Sequence, residues 1–228
     1  MPNSKSTAGA AWTRRPRLSQ DAIVRAAIRI ADSEGLAAVS MRRLATELDA
    51  RTMTLYSHVA GKDELFDLMF DELARDISFG PDLPPHWRDA ITVEARRMRE
   101  IGLAHPWSLE LFGQRAQLGP NTMRLLEERM RALDELDLPA EQAWSVVTVM
   151  QDYVTGYVVR ETAQANAVPD DPAEAEQWHA DISGYFRGLV DSGEFRRIAP
   201  LLTRFAAPPD NFEVGLAWLL DSIERRYT

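Results

Sequence analysis

The stretch ARTMTLYSHVAGKDEL, residues 50–65, decides the fold. Within Thr52–His58 only Met53 and Leu55 are clearly apolar, and the other five side chains offer hydroxyl, phenol or imidazole groups. Gly61 follows as a helix breaker, after which a longer helical pattern begins. A short helix with so small an apolar face is poorly suited to a core. Its polar side chains therefore indicate a binding surface.

Two helical patterns precede this stretch. Ser19 predicts the N-cap of a first helix, which Gly35 ends in a left-handed conformation. Ser40 predicts the cap of a second, short helix, and Asp49-Ala50 predicts a tight turn before a third helix at about 51–58. The first helix has apolar residues at i, i+3, i+4 and i+7: Ile23, Ala26, Ala27 and Ile30. Two short helices joined by a tight turn predict a helix-turn-helix motif.

The charge of the chain is uneven. The net charge is −9, yet residues 1–62 contain ten Lys or Arg and five Asp or Glu, which gives +5 and leaves −14 for the rest. Residues 1–13 are rich in Ser, Ala and Thr, and we expect them to form a flexible arm. Three of the basic residues, Arg14, Arg15 and Arg17, follow directly after this arm. A basic end on an acidic body is typical of a protein that meets a polyanion at one end only.

The remainder of the chain also predicts helices, with no convincing alternating strand and no repeat. Gly80, Pro81, Pro84 and Pro85 indicate a linker, and the acidic run NAVPDDPAEAEQ at 166–177 indicates a mobile loop. We expect helices at about 62–77, 85–104, 107–113, 120–136, 140–166, 179–192, 194–205 and 210–227. The fold class is therefore all-α.

Composition limits the function. The chain has no cysteine, which excludes disulfides, thiolate metal sites and a cysteine nucleophile. Residues 1–13 lack the apolar region of a signal peptide, and no stretch approaches the roughly 18 apolar residues of a membrane span. We therefore expect a cytoplasmic protein without a membrane partner, and no motif indicates a cofactor.

The residue types around the third helix suit DNA. The hydroxyl of Tyr56 could reach a phosphate, and Met53 could touch a thymine methyl group. Lys62 begins a helix, where its charge and the N-terminal amides could hold a phosphate. Arg42 could reach a guanine or the backbone, and the Arg14–Arg17 cluster could follow the duplex or enter the minor groove.

A family resemblance rests on these residues. The sequence from 22 to 69, with MRRLA at 41–45 and LYSHVAGKDEL at 55–65, resembles the DNA-binding domain of the tetracycline-repressor (TetR) family of bacterial transcription regulators. That resemblance covers about 14–77. The family often has glycine where this chain has Asp49, and aspartate tolerates the left-handed region better than most residues.

The resemblance implies a site and a domain plan. It places Arg42, Thr52, Met53 and Ser57 at base edges, and Thr54, Tyr56, His58 and Lys62 at the DNA backbone. It implies a helix-turn-helix DNA-binding domain over 14–77 and a helical ligand-binding and dimerisation domain over 78–228. HPW at 105–107 and LGPNTMRLLE at 118–127 resemble the second domain of the same family less specifically.

Two C-terminal helices are apolar on more than one face, at 140–166 and 210–227. Such helices must be covered on both sides, which favours a four-helix bundle across a two-fold axis in a homodimer. The alternative is that both serve the core of one subunit. Aromatic and methionine residues near a few polar groups suit a mainly apolar effector. We expect the effector site among Phe66, Phe70, Met98, Ile101, His105, Trp107, Phe112, Gln114, Trp144, Met150 and Tyr153.

The sequence thus predicts a ligand-responsive regulator, most simply a repressor that binds a palindromic operator as a dimer. The alternative from another class is a metal-dependent helical enzyme that uses Glu176 and His179, an E-x-x-H pair. It lacks the second such pair that di-iron bundles have. A non-specific DNA-coating protein is disfavoured because the acidic body would repel DNA.

Overall fold

The computed structural model describes residues 18–111, 119–202 and 210–227, and in these ranges every regular element is a helix. The chain forms two compact units, Met1–Leu65 and Phe66–Thr228. The expected arm at 1–13 and the Arg14–Arg17 cluster lie outside the described residues. Within the described ranges no helix is long and apolar enough to cross a bilayer.

The N-terminal unit contains three helices and the start of a fourth: α1 (Gln20–Glu34), α2 (Met41–Glu47), α3 (Thr52–Leu55) and α4 (Lys62–Ile77). The Ser19 hydroxyl accepts from the Ala22 amide, and the Ser40 hydroxyl accepts from the Arg43 amide, so both predicted caps are confirmed. Gly35 ends α1 at a φ of +83°. The core of this unit is fully buried: Ile23, Ala26, Ala27, Val39, Leu44, Leu55, Val59 and Leu65.

The third helix is shorter than predicted. Regular helix covers Thr52–Leu55, not 51–58, and the chain continues in tight turns. The Leu55 carbonyl accepts from the amides of both His58 and Val59, at 2.9 and 3.0 Å. The Ser57 hydroxyl donates to the Thr54 carbonyl at 2.6 Å, which is the local bonding by which serine competes with helix. With one buried side chain in this helix, little packing opposes that competition.

In its described residues the C-terminal unit contains the rest of α4 and seven further α-helices: α5 (Trp87–Ala104), α6 (Ser108–Leu111), α7 (Pro120–Ala132), α8 (Ala140–Asn166), α9 (Pro172–Asp191), α10 (Ala199–Leu202) and α11 (Phe212–Tyr227). Its core joins α5, α7, α8 and α11. Helix α8 buries one stripe at i, i+3 and i+4 spacing: Ala143, Val146, Val147, Met150, Val154 and Val158.

Three predicted boundaries in this unit are wrong. The expected loop at 166–177 is partly helix, because Asp171 caps α9 by accepting from the Ala173 and Glu174 amides and Pro172 occupies the first turn. The helix expected at 120–136 ends at Ala132. A short 3-10 turn follows it and stops at Asp137, whose φ is +47°. Of the helix expected at 194–205, the structure describes α10 alone, and 203–205 lie outside the described residues.

Candidate functional site

The N-terminal unit has helix-turn-helix geometry. Helices α2 and α3 pack together and are joined by a turn in which Asp49 takes a φ of +48°. This confirms that aspartate supports the left-handed turn. In such a motif the second of the two helices presents its exposed side chains to the major groove.

The predicted DNA-binding side chains on and after α3 differ in exposure. Met53 is 79% exposed and Tyr56 is 45% exposed, although both are apolar or aromatic. Thr54 and Ser57 are exposed as well, whereas Thr52 and His58 are half-buried. One exposed methionine is not by itself evidence of a partner; Met53 is relevant because it lies on the helix that such a motif presents to DNA.

The two arginines of α2 have different roles. The Arg43 guanidinium donates to Glu34 at 2.7 Å and to Glu47 at 2.9 Å, so it holds α1 and α2 together. Its hydrogen bonds lower the pKa of the exposed Glu34 carboxyl. Arg42 is exposed and is the member of the pair that remains at the surface of α2. Contact between Arg42 and DNA stays a prediction; the structure shows that its side chain is exposed, whereas Arg43 is bound to Glu34 and Glu47.

Lys62 is exposed and is the first residue of α4. The Glu64 carboxylate, one turn into the helix, accepts from the Ala60 amide and so fixes the chain that enters α4. This capping sets the position from which the Lys62 ammonium group could reach a phosphate.

The C-terminal unit has a cavity of about 90 Å³ between α4, α5, α6, α7 and α8. Its wall is mainly apolar, with a few hydroxyl, amide and guanidinium groups: Phe70, Leu73, Ala74, Ile77, Met98, Ile101, Gly102, Ser108, Leu109, Thr122, Leu125, Arg129, Gln151, Val154, Thr155 and Val158. A mainly apolar wall with few polar groups is typical of a small-molecule site. We call it the larger cavity, because it exceeds the smaller, adjoining cavity of the same helical core.

A second cavity, of about 30 Å³, shares Met98, Arg129, Gln151 and Val154 with the larger one. Here Glu94 also reaches the wall, and it forms a close ion pair with Arg129. Burial raises the pKa of the Glu94 carboxyl, and the positive charge of Arg129 opposes that shift. The polar group where the two cavities adjoin is thus an ion pair whose side chains are only 12–13% exposed.

Some of the predicted effector residues line these cavities. Met98 lines both, Phe70 and Ile101 line the larger one, and Met150 lines the smaller one. The Tyr153 hydroxyl instead donates to the Phe212 carbonyl at 2.7 Å. Trp144 is 48% exposed, because it lies off the buried stripe of α8, and no described cavity includes it.

The other predicted effector residues are not on these walls either. Trp107 is buried with its ring centroid 5.9 Å from that of His105, and Phe66 is half-buried. Phe112 and Gln114 lie outside the described residues. As effector contacts, all of these stay predictions.

Two buried carboxylates join α4 to α7. Asp71 on α4 accepts from the Thr122 amide at 2.8 Å, the Thr122 hydroxyl at 3.0 Å and the Asn121 side chain at 2.9 Å. Glu128 on α7 accepts from the Ser78 hydroxyl at 2.7 Å and the Phe79 amide at 2.8 Å, just after α4 ends. Because Thr122 also lines the larger cavity, the cavity wall and α4 share a hydrogen bond.

Comparison with known proteins identifies the family. Residues 23–69 match the bacterial regulatory proteins of the tetR family, and residues 80–227 match the tetracyclin repressor-like C-terminal domain. The chain belongs to the TetR family. It is therefore an all-helical, helix-turn-helix transcription regulator with a TetR-type C-terminal domain, and the family resemblance seen in the sequence is confirmed.

Relatives of this TetR protein support that assignment. It is 34% identical over 213 residues to the HTH-type transcriptional repressor DrrR1 of Streptomyces coeruleorubidus, covering 92% of this chain and 78% of that protein. ActR of Streptomyces coelicolor is 29% identical in its complex with actinorhodin, with a TM-score of 0.76 over 92% of this chain and 97% of that one. Its complex with (S)-DNPA gives 29% and 0.74, over 92% and 98%.

Family membership decides against the enzyme alternative, since TetR regulators are not enzymes. Glu176 and His179 lie on α9, not in the acidic loop expected for them. In the described ranges no three His, Cys, Asp or Glu side chains gather as a metal site would require.

Sequence reasoning missed Glu94, Arg129, Gln151, Asp71 and Thr122. Each is a polar residue that a sequence pattern assigns to a solvated helix face, because charged side chains are rarely buried unless paired. Gln151 and Thr155 do lie next to the apolar stripe of α8, at i+1 from Met150 and Val154. That adjacency is the one signal that could have placed them on a cavity wall.

Proposed function

We propose that the protein is a homodimeric repressor that binds a palindromic operator and is released by a small, mainly apolar ligand. The observation that carries this proposal is the pairing of a helix-turn-helix surface with a mainly apolar cavity, where α4 contributes to both units. Functionally, we assign DNA binding to 14–77 and ligand binding and dimerisation to 78–228. Such a regulator would act in the bacterial cytoplasm.

The homodimer is supported by the outer faces of α8 and α11. These helices pack together through Tyr153 and Phe212, whose rings lie 5.7 Å apart. Each nevertheless leaves apolar side chains in water on another side, including Trp218, which is 70% exposed. Because one subunit leaves this apolar surface uncovered, a second copy accounts for it better than a single-subunit core. The exposed set comprises Trp144, Val149, Val159, Val214 and Trp218.

Release by a ligand would act through α4. This helix begins at Lys62 beside the recognition segment and lines the larger cavity with Phe70, Leu73, Ala74 and Ile77. In the dimer the two DNA-binding domains must match half-sites roughly 34–36 Å apart. A ligand that binds better to a conformation in which these two domains have a different spacing would release the dimer from the operator. A nearly complete shift needs about 5.5 kcal/mol of differential affinity.

The proposal is tested by DNA binding. DNA from immediately upstream of the gene, and a scrambled duplex of the same composition, would be titrated by fluorescence anisotropy at several salt concentrations. We expect the native fragment to bind about 10³-fold or more tightly than the scrambled one. Equal, weak and salt-sensitive binding to both would contradict a specific repressor of that gene.

Lys62→Ala is expected to weaken binding to every duplex and to reduce the salt slope by about one, because it removes one phosphate contact. The measurement is the anisotropy titration repeated across salt concentrations. Arg187→Ala, which removes one exposed charge from α9 in the C-terminal unit, is the matched control. Unchanged affinity and slope in Lys62→Ala would remove Lys62 from the DNA contacts.

Arg42→Ala is expected to relax base preference at one position of each half-site, at a cost of about 1–3 kcal/mol on the preferred sequence. Competition with duplexes that carry single base changes measures this preference. The Lys62→Ala protein is the comparator, since a phosphate contact weakens all sequences alike. Preference that is unaltered at every base would show that Arg42 does not contact a base edge.

A further inference from the structure

The wall of the larger cavity carries positive charge and no described negative charge. Among the described residues on its wall, Arg129 is the one with a charged side chain. Its partner Glu94 reaches the smaller cavity and not the larger one. A ligand in the larger cavity therefore meets a guanidinium group on an otherwise neutral wall.

The Arg129 guanidinium retains donors for a ligand. Its Nε group donates to Glu94, one terminal nitrogen donates to the Gln151 side-chain oxygen at 3.1 Å, and the other contacts the Met98 sulfur at 3.3 Å. An arginine has five N–H bonds, so within the described chain each terminal nitrogen keeps one more. Two donors on adjacent nitrogens match the two oxygens of a carboxylate.

Glu94 opposes a bound anion unless it is protonated. With both members of the pair charged, an added carboxylate would leave one negative charge uncompensated in a buried site, which is strongly unfavourable. Burial already raises the pKa of the Glu94 carboxyl. The charged groups that act on it are Arg129 and Glu128 from α7 and Arg97 from α5, while α8 contributes the neutral Gln151.

We propose that the effector is an apolar weak acid whose carboxylate, or an equivalent anion, binds Arg129 in the larger cavity while Glu94 takes up a proton from solvent. The ligand enters as the anion, Glu94 becomes a neutral carboxylic acid, and the net charge of the site stays at zero. This inference rests on the proposed function, because it specifies the ligand class of the same cavity.

The test compares two probes of nearly the same size and shape, the anionic 2-naphthoate and the neutral 2-naphthamide. Binding to the full-length protein would be measured by titration calorimetry between pH 6 and 8, where naphthoate itself stays ionised. We expect naphthoate to bind more tightly than naphthamide, and its affinity to rise by up to about tenfold for each pH unit lowered, the limit for one proton taken up per ligand. Naphthamide binding should not change with pH.

Two variants assign the effect to the ion pair. Glu94→Gln mimics the protonated acid, so naphthoate should bind it at pH 8 at least as tightly as it binds the unmodified protein at pH 6, and that affinity should not change with pH. Arg129→Gln should abolish the preference for naphthoate over naphthamide. Arg131→Gln, an exposed arginine on the same helix, is the matched control and should change neither result.

The outcomes separate this inference from the proposed function. Equal binding of the two probes, naphthoate binding that is independent of pH, or no binding of either up to about 5 mM would each overturn the weak-acid assignment. These results come from the unmodified protein, so they do not depend on whether the variants fold. The titration with upstream DNA, made without any probe, tests the proposed repressor independently.

Discussion

Trp218→Glu is expected to give a folded monomer that has lost specific operator binding. Trp218 is 70% exposed in the single chain and lies one turn from Val214 on the outer face of α11. In the proposed dimer this face is buried, and a carboxylate there would lose its hydration without gaining a partner. A monomer has one DNA-binding domain and can bind one half-site only. We therefore expect operator affinity to fall by about 10³-fold or more, towards non-specific binding. Light scattering coupled to size-exclusion chromatography measures the mass, and anisotropy measures the affinity.

The control for this prediction is Met123→Glu. Met123 is also an exposed apolar residue, but it lies in the first turn of α7, where a helix tolerates an acidic side chain well. This protein should remain a dimer and keep its operator affinity. If the Trp218→Glu protein stays dimeric with full operator affinity, the outer face of α11 is not the subunit interface.

The N-terminal unit could be predicted closely because its signals are local. Ser19 and Ser40 cap helices through bonds that span three residues, and Asp49 takes a left-handed turn by its own side-chain chemistry. The length of α3 could not be predicted in the same way. The chain from Tyr56 to His58 leaves the helix because the turn bonds to Leu55 and Thr54 compete with it, and periodicity does not reveal that competition.

The choice between Arg42 and Arg43 shows what a sequence omits. The two are adjacent and chemically identical, yet Arg43 pairs with Glu34, nine residues earlier, and Arg42 does not. That pairing depends on how α1 and α2 pack. The residues alone do not predict which of the two arginines forms the pair with Glu34; the choice of Arg42 for DNA rests on the family resemblance.

The walls of the two cavities contain some of the predicted effector residues, among them Met98 and Met150, but not all of them. A mainly apolar site with a few polar groups was expected, yet Trp144 and Tyr153 do not line it, because a helix turns by about 100° per residue and neither lies on the right face. The largely buried ion pair of Glu94 and Arg129 had no sequence signal, since charged residues 35 apart become partners only when α5 and α7 pack.

The prediction of a loop at 166–177 was wrong for a different reason. Its composition, acidic and rich in proline, is typical of loops, but Asp171-Pro172 is also a strong helix start. The capping bonds of Asp171 to two amides show that this local signal decided the outcome. Position within a motif was more informative here than composition.

Two adjacent glutamates on α7 also have different environments that the sequence does not reveal. Glu127 is exposed, whereas Glu128 is buried and accepts from the Ser78 hydroxyl and from the amides of Phe79 and Gly80. Those groups follow the end of α4, where Arg97 also donates to the carbonyls of Ile77 and Ser78. The last turn of α4 is thus held from α5 and from α7, and nothing in the sequence separates Glu128 from Glu127.

Glu128→Gln is expected to lower the free energy of unfolding of the C-terminal unit by about 2–3 kcal/mol. The amide nitrogen of glutamine would face the Phe79 N–H, so that a buried donor loses its acceptor, and the remaining bonds would no longer be to a charged group. Urea denaturation followed by tryptophan fluorescence measures the change, because Trp87 and Trp107 are each 2% exposed in this unit. Glu127→Gln makes the same chemical change on an exposed neighbour and should alter stability by less than about 0.5 kcal/mol. Equal stability of the two proteins would show that the Glu128 carboxylate does not hold the end of α4.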